Sequence, residues 1–150
     1  MIPSTVQRVP RHTPGHLNER IRRRTEQNVA CHAAGGPAAI QRRLDELDRE
    51  WDIERTLEAN AATVSLVGLT LGATVDRKWY ALPAAVAAFL LQHAVQGWCP
   101  PVRLFRRLGF RTASEIEQER YALKALRGDF NDVPQHDQTA VQRAIQAVRH

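Results

Sequence analysis

Two long stretches without charged residues constrain this chain more than any other feature. No Asp, Glu, Lys or Arg occurs in residues 59–75 or 79–98, and only Asp76, Arg77 and Lys78 lie between them. A mean hydropathy of −0.41 hides this segregation. As helices the two runs would be roughly 25 and 30 Å long, close to the thickness of a bilayer's hydrocarbon core. We therefore predict an all-α fold built on a transmembrane helical hairpin with these two spans.

Aromatic and basic residues at the ends of the runs extend this prediction. Tryptophan and tyrosine concentrate at membrane interfaces, and an excess of arginine marks the cytoplasmic side. The predicted interface anchors are Trp79, Tyr80, Trp98, Arg103, Arg106 and Arg107. The interpretation is a multi-pass protein of the bacterial inner membrane with both termini in the cytoplasm and the bilayer as a partner. The alternative is a soluble, alanine-rich helical hairpin packed against amphipathic segments.

The N-terminal flank is polar, with local signals for helices. Residues 1–15 contain three prolines and predict an extended or disordered arm, and a helix is expected from His16 to about Ala34. Pro37 suits the first turn of the next helix. That helix carries an apolar stripe and continues without a breaker into the first span. The stripe consists of Ile40, Leu44, Leu47 and Trp51.

The C-terminal flank predicts three further helical pieces. The sequence of residues 101–110 predicts an amphipathic turn. Ser114 and Glu117 have capping-box spacing, and Gly128 ends the helix that they open. A polar tail follows, with Val141, Ile145 and Val148 at helical spacing. The predicted organisation is a basic arm (1–37), a central domain (38–130) and a tail (131–150).

The central region resembles the YgaP-like inner-membrane family, small two-span proteins of unknown function. The resemblance rests on DREWDIERTLEANAA (48–62), on the two spans and on LQHAVQGWCPPVRLFRRLGFRT (91–112), with Gly97-Trp98-Cys99-Pro100 as its most specific element. In some members this domain is fused to a rhodanese, a sulfurtransferase with a loop cysteine. The first 59 residues here are too few and too charged to form one. The resemblance therefore implies a membrane hairpin that self-associates, without the sulfurtransferase activity.

Polar residues within the runs are the first candidate site. In an antiparallel hairpin Asn60 and His93 fall at similar depth, and polar side chains in lipid need partners. We predict a polar cluster of Asn60, Gln92, His93 and Gln96 that joins the two helices. The alternative, which we favour over a transport or proton-relay role, is that His93 and Gln96 reach interfacial water.

Gly68 and Gly72 form a GxxxG motif on the first run. Such small residues let helix backbones approach closely. The motif is either a contact between two copies of the chain, giving a homodimer, or the face on which the second helix of the same hairpin packs. The sequence leaves both open.

Cys99 is the one candidate for chemistry, because Pro100 and Pro101 follow it and leave its thiol at a helix end. Persulfide acceptance, redox sensing and S-acylation are the functional alternatives to a small boundary residue. No histidine or second cysteine stands at catalytic spacing, so we expect no catalytic residue apart from this weak candidate. We expect no metal site and no cofactor.

Three functions follow from these observations. The first is a membrane-anchored scaffold or self-associating hairpin without enzymatic activity. The second is a sulfur or redox accessory protein tethered to the membrane, using Cys99 and working with a separate sulfurtransferase. The third is a soluble, basic helical binding protein using Arg20, Arg22, Arg23 and Arg24. Because aromatic residues are absent from the first 50 positions and no nucleic-acid motif is present, nucleic acid is not an expected partner.

Overall fold

A computed structural model describes residues 6–131 and 140–149, and all regular structure within those ranges is helical. The helices are α1 (Arg8–Arg11), α2 (Gly15–Ala34), α3 (Pro37–Leu47), α4 (Ile53–Thr74), α5 (Ala81–Gln96), α6 (Pro100–Leu108), α7 (Ala113–Arg127) and α8 (Ala140–Arg149), with a 3₁₀ turn at Arg77–Tyr80. The chain forms two compact units. Unit 1 comprises Met1–Arg22 and Trp51–Glu115, and unit 2 comprises Arg23–Glu50 and Ile116–His150.

No helix in the described part of the chain is both long and apolar enough to cross a membrane. Helix α4 begins with Ile53 and carries three charged residues in its first two turns, Glu54, Arg55 and Glu58. Helix α5 has only 16 residues, roughly 24 Å, which falls short of the roughly 30 Å of a hydrocarbon core. The predictions of a transmembrane hairpin and of a multi-pass inner-membrane location are therefore wrong.

Helices α4 and α5 do form an antiparallel pair, and the GxxxG motif lies between them. A Cβ atom added to Gly68 would lie 2.7 Å from Cδ of Pro83, and one added to Gly72 would lie 2.7 Å from the ring of Tyr80. Gly68 therefore packs against α5 and Gly72 against the 3₁₀ turn that precedes it, both within the same chain. The other faces of the pair carry exposed apolar side chains, which include Leu66, Val67, Leu69, Phe89, Leu91 and Val95.

The predicted continuous helix from residue 38 into the first apolar run does not form. Helix α3 ends at Leu47, and α4 begins after Asp52, whose carboxylate accepts a hydrogen bond from the Arg55 backbone N–H at 2.7 Å. This is a side-chain N-cap, which satisfies a donor that a helix start leaves unpaired. In addition, the Ile53 N–H donates to the Arg111 carbonyl at 2.8 Å. Both bonds require a helix start at this point.

Unit 1 has its own apolar core, which joins both of its chain segments. The prediction of an extended or disordered arm is wrong for residues 8–11, because α1 forms there and Val9 is buried against the core. Residues 1–5 of that arm lie outside the described ranges. The buried members of this core are Val9, Ile53, Leu57, Cys99 and Val102, with Phe105 and Phe110 packed against them.

Unit 2 is organised around α3 and α7. The predicted stripe supplies three of its core residues, whereas the fourth, Trp51, is exposed and lies under the Arg55 guanidinium, 4.4 Å from the ring centroid. The core consists of Ile40, Leu44, Leu47, Ile116 and Leu123. Helix α8 covers the predicted positions of the tail helix, whereas residues 132–139 lie outside the described ranges.

The capping box of α7 occurs two residues earlier than predicted. The Glu115 carboxylate accepts from the Thr112 N–H at 2.8 Å, and the Thr112 hydroxyl accepts from the Glu115 N–H at 3.3 Å. The prediction of Ser114 and Glu117 is therefore wrong, although both pairs have the same spacing. Glu115 also pairs with buried Arg106, at 2.6 Å.

Candidate functional site

Cys99 and His93 come together because a tight turn separates the helices that carry them. His93 lies in the last turn of α5, and that helix ends at Gly97, whose φ of +75° is in the left-handed region that favours glycine. Cys99 then adopts an extended conformation and forms the N-cap position of α6. The turn folds the chain back so that both side chains are buried, with 3% of Cys99 and 4% of His93 exposed.

Glu54 fixes the orientation of the His93 ring. Nε2 of His93 lies 2.7 Å from Oε2 of Glu54, which projects from the first turn of α4. The other carboxylate oxygen accepts from the Arg8 guanidinium at 2.9 Å, and Arg8 also donates to the Ala94 carbonyl at 3.1 Å. The histidine is thus held at one nitrogen by a carboxylate that is itself held by an arginine from α1.

These contacts determine the charges of the pair. Interaction with the Cys99 side chain and the hydrogen bond to Glu54 outweigh burial and raise the pKa of His93 to about 9. Burial opposes ionisation of Glu54, but hydrogen bonds from His93 and Arg8 hold its pKa below the usual value. At neutral pH the resting site therefore contains an imidazolium and a carboxylate.

The second nitrogen of the ring is the reactive feature. Nδ1 of His93 is buried, and none of the described residues offers it a partner with hydrogen-bond geometry. The thiol of Cys99 is nevertheless close enough to be the largest cause of the raised pKa of the ring.

An apolar cavity opens at Cys99. It has a volume of about 190 Å³ and lies between α4, α5 and the start of α6. Its walls are almost entirely apolar, and Asn60 supplies the one polar side chain apart from the thiol. The lining residues are Leu57, Asn60, Ala61, Val64, Val86, Phe89, Leu90, Cys99 and Pro101.

The predicted polar cluster is not brought together as such. His93 bonds to Glu54, Asn60 lines the apolar cavity and Gln92 is half-buried. Gln96 is exposed and borders a separate open groove, which Trp98 and Arg103 also line.

The residues predicted as interface anchors have different environments. Trp79 and Tyr80 are exposed, as are the side chains of Arg103 and Arg107. Arg106 is instead almost fully buried, where it forms a two-pronged ion pair with Glu115 at 2.6 and 2.8 Å and donates to Asn18 at 2.7 Å. It belongs to the packing of unit 1 and cannot face a lipid surface.

Sequence reasoning identified Cys99 and His93 separately but did not connect them. From the sequence no histidine was paired with Cys99, whereas the Cys99 side chain influences the pKa of His93, six positions earlier in the chain. Glu54 and Arg8 were missed altogether, and they lie 39 and 85 positions before His93. The available signal was Gly97 itself, since a glycine that ends a helix implies a reversal of the chain.

Cys31 is exposed and belongs to unit 2. Within residues 6–131 and 140–149, no three or more His, Cys, Asp or Glu side chains are placed to hold a metal ion. The Cys99 site itself contains one thiol, one protonated imidazole and the carboxylate that orients it.

Comparison with known proteins adds no relative. No protein-family model matches the chain, and no curated protein or solved structure does so. Nothing in these comparisons bears on the resemblance to the YgaP-like family, which stays a hypothesis. The functional interpretation therefore rests on the geometry of the Cys99 site.

Proposed function

We propose that the protein is a sulfur-exchange protein in which Cys99 attacks the sulfur of a disulfide or persulfide and then carries the product as an adduct. The observation that carries the proposal is that Cys99 and His93 are buried on either side of the Gly97 turn, with Nε2 of His93 held 2.7 Å from Glu54 and its buried Nδ1 without a partner. A nucleophile, an acid–base group and a carboxylate that orients it constitute the general arrangement of nucleophilic catalysis.

The imidazolium has a defined task in this reaction. Cys99 first loses its thiol proton to a base in solution. The thiolate then forms a new S–S bond with one sulfur of the substrate while the S–S bond of the substrate breaks, and the departing thiolate takes up the proton of His93. Cys99 is oxidised to a mixed disulfide or persulfide, and the substrate sulfur that leaves is reduced to a thiol. A second thiol reverses the step and removes the adduct.

The start of α6 favours sulfur exchange over acyl transfer, which is the other common reaction of a Cys–His pair. Acyl transfer needs backbone N–H donors to stabilise an oxyanion, and the residue after the nucleophile often supplies one. Here Pro100 and Pro101 have no N–H group, and the N–H of Val102 donates to the Cys99 carbonyl at 3.2 Å. Exchange at sulfur proceeds without an oxyanion and is unaffected by this arrangement.

The test measures the rate at which the thiol forms a mixed disulfide, in protein with Cys31→Ser so that only Cys99 reacts. We expect Cys99→Ser to abolish adduct formation, as seen by intact mass. His93→Gln should slow it by at least about tenfold, because general acid catalysis commonly contributes 10² or more. The parent should lose its higher rate of adduct formation relative to His93→Gln as the pH rises past about 9, where the ring loses its proton.

His16→Gln is the matched control, because His16 is an exposed histidine of the same unit. It should react at the rate of the parent. If His93→Gln and His16→Gln both react like the parent, the assigned role of His93 is refuted. If Cys99 reacts more slowly than a free cysteine under the same conditions, the proposed function is refuted. A separate sulfurtransferase as sulfur donor stays a prediction.

A further inference from the structure

We infer that the substrate of Cys99 is a small disulfide or persulfide whose substituent is apolar and uncharged, and that this substituent occupies the cavity between α4 and α5. The inference rests on the proposed sulfur exchange and names the substrate class for it. It is carried by the cavity, which the Cys99 side chain lines, and by the buried imidazole nitrogen of His93.

The walls of the cavity define the chemistry of the occupant. Apart from Asn60 and the thiol itself, the lining side chains are hydrocarbon, and no charged residue contributes to it. A charged or strongly polar substituent would lose its hydration there and find Asn60 as the one polar side chain of the wall besides the thiol, which is unfavourable. An alkyl or aryl group has no hydrogen bonds to water to lose, and its binding removes apolar surface from water.

The volume limits the size of the occupant. A dry engineered cavity of ~150 Å³ binds benzene. At about 190 Å³ this cavity admits a substituent of that size or somewhat larger. The tripeptide portion of glutathione is too large and too charged to enter it. Typical sites for larger cofactors have roughly 300 Å³ or more.

Access to the thiol passes through the same cavity. Only 3% of the Cys99 surface is exposed, and its side chain forms part of the cavity wall. His93 is 4% exposed, and its Nδ1 is buried without a hydrogen-bond partner, as is Nε of Arg8. A substrate sulfur that reaches the thiol has therefore already left water, and the proton that its leaving group needs comes from His93.

The experiment compares three disulfides with the same number of heavy atoms: dipropyl disulfide, bis(2-hydroxyethyl) disulfide and cystamine. Each rate with the Cys31→Ser protein is divided by the rate of the same disulfide with N-acetylcysteine. This normalisation cancels the differences in intrinsic reactivity among the three disulfides. We expect the normalised rate to be about tenfold higher for the propyl compound than for the hydroxyethyl compound, since burial of an unpaired hydroxyl is costly. The hydroxyethyl compound is uncharged, so this comparison excludes repulsion by the imidazolium as the cause.

Two neighbouring alanines on α4 provide a matched pair of variants. Ala61 lines the cavity, whereas Ala62 is exposed and does not. Ala61→Phe should remove the preference for the propyl compound, and Ala62→Phe should retain it. Ala61→Leu, a smaller change, serves if the phenylalanine variant fails to fold, and it should reduce the preference at least threefold.

The outcomes separate the inference from the proposed function. Equal normalised rates for the three compounds, all faster than N-acetylcysteine, would overturn the apolar substrate and leave the sulfur exchange standing. A preference that survives both Ala61 variants would also overturn it. Rates below those of N-acetylcysteine for all three compounds would overturn both.

Discussion

Each unit contains a carboxylate that is partly or fully buried, and the two carboxylates pair with different types of cationic side chain. In unit 2 the Glu119 side chain is fully buried and accepts a hydrogen bond from Arg43 at 2.7 Å. In unit 1 Glu54 pairs with His93 at the same distance. Arginine keeps its charge at every accessible pH, whereas histidine can give up its proton. The first pair can only hold structure, while the second can also perform chemistry.

The surroundings of the two cations reinforce this difference. The Arg43 guanidinium also reaches Glu46 at 2.8 Å and Glu50 at 3.6 Å, so its donors are directed at carboxylates. His93 instead keeps one buried nitrogen without a hydrogen-bond partner, beside a thiol. Buried polar atoms are normally paired, and an exception of this kind calls for a functional explanation.

Loss of the arginine in unit 2 should have the largest effect on stability. Arg43→Met leaves the Glu119 carboxylate buried without this partner, and we expect a loss of about 3 to 5 kcal/mol in the free energy of unfolding. Urea denaturation followed by circular dichroism measures it. Arg42→Met is the control, since Arg42 is exposed and should cost less than about 0.5 kcal/mol. Equal losses for both variants would show that Arg43 is no more than a surface charge.

Unit 1 should show a dependence on pH that the arginine pair cannot produce. Folding raises the pKa of His93 from 6.5 to about 9, so the stabilisation from its proton is complete below pH 6.5 and is lost as the pH rises through 9. The loss is at most about 3 kcal/mol. We expect denaturation midpoints to fall across this window in the parent and to change much less in His93→Gln. A parallel decline in both proteins would contradict the assignment to His93.

The turn that joins His93 to Cys99 should give a smaller effect on stability. Gly97→Ala places a side chain at a φ of +75°, and its Cβ would lie 2.5 Å from Cβ of Arg8. We expect a loss of at least about 2 kcal/mol, because the left-handed conformation alone costs roughly 1 to 2 kcal/mol. Gly15→Ala is the control, since a Cβ there meets nothing within 4 Å. Thermal unfolding compares the two, and similar midpoints would show that the turn tolerates a side chain.

Local patterns in the sequence predicted much of the helical structure. They did not predict that no helix in the described part of the chain is long and apolar enough to cross a membrane. Pro37 does begin α3, and Ile40, Leu44 and Leu47 are buried as the stripe implied. The error lay in treating absence of charge as sufficient for a membrane span. Charged residues occupy the first turns of α4, and α5 ends at Gly97. Both features shorten the apolar part of the helix, and both depend on where the helix begins and ends.

The candidate site was less predictable, because its parts come from distant positions in the chain. Cys99 was identified from its own neighbours, whereas Glu54 becomes relevant only when α4 packs beside α5. Arg8 reaches Glu54 because residues 8–11, which the sequence predicted to be extended or disordered, fold into a helical turn. Contacts of this kind depend on tertiary packing, which periodicity and spacing in one sequence do not encode.

The order of segments along the chain has a consequence for synthesis. Unit 1 is complete at Glu115, whereas the second segment of unit 2 begins only at Ile116. A ribosome therefore finishes every part of the Cys99 site while Arg23–Glu50 still lacks its packing partner. Domains tend to fold as they emerge. The first segment of unit 2 must then wait with Ile40, Leu44 and Leu47 uncovered, and during that interval these side chains are open to aggregation and to chaperones.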